Sequence, residues 1–359
     1  MIAHSRPTIG PEDVDGVARV LQSGHLAQGS VVADFEAAVA GYLGRRGGVA
    51  TNSGTAALHL ALLTLDVGPG DEVLLPSYTC VALLHAVRHV GATPRLVDLA
   101  EGEYAMCPRE AGRLITSRTR AMIVPHMFGV PADLDALCDL GVPVIEDCAQ
   151  SLGATYQGRP AGGAGVITVC SFYATKVITT GEGGMLLSNS EVVLRRARDL
   201  RDYDGRGALP VRFNYKMTDM QAALGLSQFG RLSAFLVRRR ALAARYHAAL
   251  RDLPLVLPYP LPQRSHIYYR YVVGIRGAAE AARALRELGV ECKPPVPRPL
   301  HALLGQRGFD RTEHAAATAL SLPLYPSLTD DQAEIVLRAA VAVFTRKETE
   351  QRLLTSSAS

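Results

Sequence analysis

Between Thr51 and Ser188 the chain alternates short, almost wholly apolar runs with stretches of helical periodicity, and that alternation leaves few folds open. EVLLPS (72–77), PRLVDL (94–99), RAMIVPH (120–126), VPVIED (142–147), VITVCSF (166–172) and GMLLS (184–188) read as strands. TAALHLALLTLD (55–66), CVALLHAVRHV (80–90) and PADLDALCDL (131–140) read as helices between several of them. Strands without polar alternation need cover on both faces, so the pattern predicts an α/β fold with a mostly parallel sheet between helices. Such sheets bind ligands at the carboxyl ends of their strands.

After Ser190 the pattern changes. EVVLRRARDLRD (191–202) reads as a helix, 203–216 as a loop, and 218–250 as a long helix or helix pair with Thr218 as its N-cap. Strand IYYRYVVGI (267–275), helix AAEAARALRELG (278–289) and a last helix near 329–345 form a smaller α+β unit. KPPVPRPL (293–300) is too rich in proline to be regular. The expected division is a large α/β unit over 1–235 and a small α+β unit over 236–359, ending in the polar tail KETEQRLLTSSAS.

Composition narrows the function classes. The net charge of +4 is spread along the chain, and its densest run, RRR at 238–240, reads as an outer helix face, so nucleic-acid binding has no support. The six cysteines form no CxxC pair, and several lie inside apolar runs as small core residues of a reducing compartment. There is no apolar leader at MIAHSRPTIG and no run long enough to span a membrane, so a soluble cytoplasmic protein is expected. His85, His89, His126, His266 and His301 lack ligand spacing, so no metal is expected.

The chemistry-bearing residues fall where the fold puts a ligand. Asp147 and Ser171 end predicted strands, and Lys176 follows in SFYATK, five positions after Ser171. A lysine amine condenses with an aldehyde, a carboxylate keeps a pyridine nitrogen protonated, and a hydroxyl helps hold a phosphate. That is the set pyridoxal phosphate (PLP) requires. Taken singly, each has a plainer explanation: Lys176 as a surface charge, Asp147 as a helix cap. Gly54 and Thr55 open a helix, where free amides and the dipole favour a phosphate, although a Ser/Thr cap also fits. Gln150, three residues past Asp147, is placed to meet the phenolic oxygen of the cofactor, whereas Glu146 reads as structural. GGAG (162–165) precedes a strand and lacks the G-x-G-x-x-G spacing of a dinucleotide site.

Across nearly the whole chain these segments resemble the DegT/DnrJ/StrS family of PLP-dependent sugar aminotransferases. The resemblance is carried by LQSGHLAQGSVVADFEAAVA, TNSGTAALHLAL, GPGDEVLLPSYTCVALLHAV, IEDCAQSLGA, SFYATKVITTGEGG, NYKMTDMQAALGLSQ and LPLYPSLTDDQ. It implies a fold-type I enzyme with a seven-stranded sheet. Lys176 would be the Schiff-base lysine, Asp147 the partner of the pyridine nitrogen and Gln150 the contact to the ring hydroxyl. Gly54, Thr55 and Ser171 would hold the phosphate, and Asn214 would reach the neighbour's phosphate across a homodimer.

The chain departs from the family at Cys80, where many relatives carry a ring-stacking Trp or Phe; the nearby Tyr78 is the expected substitute. A second departure is CKPPVPRPLH (292–301), where relatives show a His-Tyr pair. The reaction implied is transfer of an amino group from glutamate or glutamine, by way of pyridoxamine phosphate (PMP), to a nucleotide-linked keto-deoxysugar, at C4 of a 4-keto-6-deoxysugar. Lys216, Arg212, Lys293 and Arg298 are candidates for its diphosphate. A keto-cyclitol aminotransferase and a non-catalytic PLP-binding regulator are the alternatives.

Overall fold

A computed structural model describes residues 1–204 and 211–356, with side chains through Arg346. Within the loop expected over 203–216, residues 205–210 lie outside the described residues, as does the end of the tail, 357–359.

Two helices precede the first strand, α1 (Pro11–Ser23) and α2 (Ser30–Tyr42). The main sheet then uses β1 (Gly47–Thr51), β2 (Glu72–Pro76), β3 (Thr93–Val97), β4 (Thr119–Pro125), β5 (Val144–Asp147), β8 (Ile167–Ser171) and β9 (Gly184–Ser188). A small hairpin, β6 (Thr155–Tyr156) and β7 (Arg159–Pro160), lies between β5 and β8. The expected seven-stranded sheet is present, and its strands run in the order β1-β9-β8-β5-β4-β2-β3. Every pairing from β3 to β8 is parallel, and β9 is antiparallel to both its neighbours.

The helices that cover the sheet are α3 (Gly54–Thr64), α4 (Val81–His89), α5 (Pro108–Leu114), α6 (Leu134–Cys138) and α7 (Glu191–Arg201). α3 is buried on nearly all sides, from Ala56 through Leu62, because it lies across β8 and β9 and beneath α4 and α7. An all-round apolar helix has that position open to it and few others. It thereby brings its N-terminus to the carboxyl end of β8.

The expected helix pair over 218–250 is α8 (Asp219–Gly230) and α9 (Leu232–Leu250), which meet at Arg231. Thr218 caps α8 as expected, its hydroxyl accepting from the Gln221 amide. Beyond it come β10 (Tyr271–Gly274), α10 (Ala278–Glu287), α11 (Leu300–Leu304), α12 (Asp310–Thr318), β11 (Ala319–Leu322) and α13 (Asp330–Ser356). β10 and β11 pair antiparallel under α9, α10 and α13. The first residues cross to this second core, where Ile2 bridges Val290. The division expected at 235/236 falls inside α9. Phe235 and Leu236 pack into the core of the larger unit, and Leu242, Tyr246 and Leu250 into that of the smaller.

Two sequence readings are corrected. The strand expected over 267–275 begins only at Tyr271, because Ile267 donates its amide to the Gly129 carbonyl instead of joining a ladder. The Arg238–Arg240 run is an outer face only in part: Arg240 is exposed, but Arg239 is 3 % exposed, and its Nη1 donates to the carbonyls of Tyr268, Tyr269 and Leu324 at 3.1–3.3 Å. It is the peg on which residues 268–269 hang. Arg239→Ala would leave three carbonyls without a donor, so we expect a loss of about 3 kcal/mol, read as a lowered urea midpoint.

Candidate active site

The site starts from two adjacent carboxylates at the end of β5. Strand pleating sends Glu146 and Asp147 to opposite faces, and the two have opposite surroundings. Glu146 is fully buried and saturated. It accepts from the amides of Gly162 and Ala164 at 2.8 and 2.7 Å, from the Gly165 amide, from His126 Nε2 at 3.2 Å and from Arg45 at 3.5 Å. Burial opposes its charge, but the His126 bond and these amides hold its carboxyl below the usual range. His126 is fixed as well, since its Nδ1 accepts from the Ala132 amide.

Asp147, 7 % exposed, has the reverse balance. Its Oδ1 accepts from the Ala149 amide at 2.9 Å, and burial pushes its carboxyl up despite the nearby charge of Lys176. A buried carboxylate with so little compensation is a site for a cation. Gln150 is oriented to help. Its Oε1 accepts from the Phe128 amide at 2.9 Å, so its NH2 end is the donor; one weak contact, to Met127 Sδ at 3.8 Å, leaves it a second hydrogen of the kind a phenolic oxygen needs.

Ser171 and Gly54 meet closely. A Cβ on Gly54 would stand 2.8 Å from the Cβ of Ser171. Gly184, paired with Ser171 across β8 and β9, is equally tight: a Cβ there would lie 2.4 Å from the Ser53 carbonyl oxygen and 2.6 Å from the Gly54 nitrogen. Ser53 is the N-cap of α3, its hydroxyl accepting from the Ala56 amide, which supplies the Ser/Thr cap and leaves Gly54 and Thr55 as the first helical residues. The amides of Gly54 and Thr55 begin the helix with no carbonyl behind them, beside the Ser171 hydroxyl. Small residues and bare amides together make a cradle of the chemistry that suits a phosphate.

Lys176, partly exposed, lies on the loop after β8, with its Nζ 5.5 Å from the centroid of the Tyr269 ring. Tyr269 was not anticipated, because it belongs to a segment that reads as plain strand. The other expected residues are more dispersed. Asn214 is exposed, and its carbonyl accepts from Asn52, two residues before Gly54. Arg212 is tied to Asp199, Lys216 to Asp202 and Asp204, and Lys293 to Glu291. Arg298 donates to the Ala302 carbonyl.

Cys80 is exposed at the start of α4, but Tyr78 does not substitute for a ring-stacker there. It is 0 % exposed and stacks on Tyr104 at 5.7 Å, so it has no face to offer. Among the described residues His126, Glu146 and Cys148 are close enough to share a cation. Their atoms are already spent: the Glu146 oxygens are full and burial keeps the Cys148 thiol protonated.

The residues that converge fit PLP: an uncompensated carboxylate for the pyridine nitrogen, an amide donor for the ring oxygen, a helix N-terminus for the phosphate and an amine for the aldehyde. The DegT/DnrJ/EryC1/StrS aminotransferase family matches residues 7–341. The chain belongs to that family. It is 33 % identical to the GDP-perosamine synthase of Caulobacter vibrioides, over 94 % of this chain and 97 % of that one. It is 34 % identical to the UDP-N-acetyl-3-dehydro-alpha-D-glucosamine 3-aminotransferase of Acidithiobacillus ferrooxidans, over 92 % and 93 %. Spr1654 of Streptococcus pneumoniae, solved in a PLP form and a PMP form, superposes with a TM-score of 0.91 at 25 % identity. In both forms the match covers 96 % of this chain, with 99 % of the PLP-form chain and 100 % of the PMP-form chain. The protein is a PLP-dependent transaminase, as its residues led us to expect. No described helix is long and apolar enough to cross a membrane.

Gly184→Ala would push the Ser53–Gly54 backbone out of the cradle. We expect PLP affinity to fall at least about tenfold, roughly 1.4 kcal/mol, in a fluorescence titration.

Proposed function

We propose that this aminotransferase moves an amino group from glutamate or glutamine to a nucleotide-linked keto-deoxysugar, at C4 of a 4-keto-6-deoxysugar. The observation that carries this reading is the convergence of Lys176, Asp147, Ser171 and Gly54 at the ends of β5 and β8 and the start of α3. The names of its relatives support a nucleotide-sugar substrate, and the segment SFYATKVITTGEGG supports the C4 position.

When bound, PLP supplies an aldehyde and an electron-accepting ring. Lys176 offers the amine that binds the aldehyde and, once released, carries a proton between two carbons. Asp147 holds a proton at the ring nitrogen. Gln150 donates its amide hydrogen to the ring oxygen, and Ser171 with the Gly54 and Thr55 amides binds the phosphate. The exposure of Asn214 supports a homodimer in which Asn214 of the partner subunit completes that phosphate site. The buried, unpaired Cys107, Cys148, Cys170 and Cys292 support work in the reducing cytoplasm.

Three measurements test this. Borohydride should fix cofactor on Lys176, and Lys176→Ala should abolish transfer. Asp147→Asn should raise the barrier by about 4 kcal/mol, near a thousandfold in kcat, in stopped-flow half-reactions. Amine transfer to 4-keto-6-deoxy, 3-keto and keto-inositol acceptors should rank the first highest; preference for a 3-keto sugar would overturn the C4 assignment.

A further inference from the structure

The segment carrying Tyr269 is held with unusual thoroughness for a piece of chain outside any sheet. Ile267 and Arg270 donate their amides to Gly129 and Phe128, at 3.0 and 3.5 Å, on the 3-10 turn Met127–Gly129. Tyr268 takes a left-handed φ of 53°, which a tyrosine adopts only where its surroundings impose it. Its amide donates to His266 Nδ1, and buried Arg239 grips the carbonyls of Tyr268 and Tyr269 from α9. The result is one phenol, 5 % exposed, delivered from the smaller unit to the catalytic lysine of the larger.

Two cations share its ring. Lys176 Nζ lies 5.5 Å from the centroid and the Arg270 guanidinium 4.9 Å from it. Among the described residues Arg270 donates to Tyr269 Oη, 3.5 Å from Nη2, and to His4 Nδ1, 3.2 Å from Nη1. His4 is kept neutral by burial, which pushes it down to about 3.

We propose that Tyr269 is a positioning residue for Lys176: its ring seats the lysine nitrogen, and its hydroxyl biases the charge on that nitrogen whether it is bonded to the cofactor or free between half-reactions. This rests on the assignment of Lys176 as the lysine that binds PLP. The groups facing the phenol are Lys176 and Thr175 from the loop after β8, Arg270 on its own segment and Arg239 on α9, with Asp147 of β5 facing Lys176 in turn. Burial raises the phenol, but the charges of Lys176 and Arg270, the Thr175 hydrogen bond and Arg239 bring it down to about 8. It therefore gains negative charge just above neutrality, on a ring that already faces Lys176 Nζ.

The test is a pH titration of the bound-cofactor absorbance in holoenzyme, with Tyr269→Phe and Tyr269→Leu beside wild type. Phe keeps the ring and loses the ionisable oxygen, so the midpoint should fall by about one pH unit. The basic limb of the kcat profile should move with it, and KM for the keto sugar should stay unchanged. Leu loses the ring as well and should slow the amino-donor half-reaction by about tenfold more. Coincident titrations of wild type and Tyr269→Phe, with cofactor trapped on Lys176 in both, would overturn the role of Tyr269 alone. Failure to trap cofactor on Lys176 in the wild type would overturn the lysine assignment and this inference together.

Discussion

Glu146 is the interaction on which the site depends. One buried carboxylate gathers three amides of the 162–165 turn, His126 from the end of β4 and Arg45 from the chain beyond α2. Arg45 in turn donates to the Gly162 and Gly165 carbonyls and to Thr168. β4, β5 and the approach to β8 are therefore tied at one point. A carboxylate this deep is tolerated only when every lone pair is used, and here they are. With that knot in place, the next residue along, Asp147, can be held in the interior with almost nothing to satisfy it.

The two neighbours divide the labour of the strand end. Glu146 spends its charge on architecture and is held ionised by it, whereas burial drives Asp147 the other way. Asp147 is therefore the carboxylate suited to a cationic partner, and a protonated pyridine ring is the partner we propose for it. The phosphate end is built on the opposite economy, small residues and bare amides, because bulk at Gly54 or Gly184 would fill the space the anion needs. Charge at one end and small residues at the other make the two ends of the site chemically distinct, which is what the proposed binding of PLP requires.

The fold was legible where its residues speak for themselves. The buried strands carrying Asp147 and Ser171 are near-continuous apolar runs, and no other secondary structure accounts for them so well. β1 was invisible because GGVAT has two glycines and little apolar length; it becomes a strand by lying against β9. Arg239 hid inside an arginine run whose neighbours do face outward. Tyr269 hid for the opposite reason, inside IYYRYVVGI, where alternating aromatics look like a strand until Gly129 competes for the Ile267 amide. In each case a contact distant in sequence decides the role, and no local period encodes such a contact.

That division also explains why the reaction is easier to infer than its substrate. PLP chemistry needs groups at strand ends and a helix start, positions that periodicity reveals. Arg212 and Lys216, which looked like free cations for a diphosphate, are neutralised by Asp199, Asp202 and Asp204 some 12 to 14 residues upstream or within the same loop. Arg298 lies in a proline-rich stretch with no period at all. Substrate choice resides in such loops, where the meaning of a charge depends on which neighbour reaches it first.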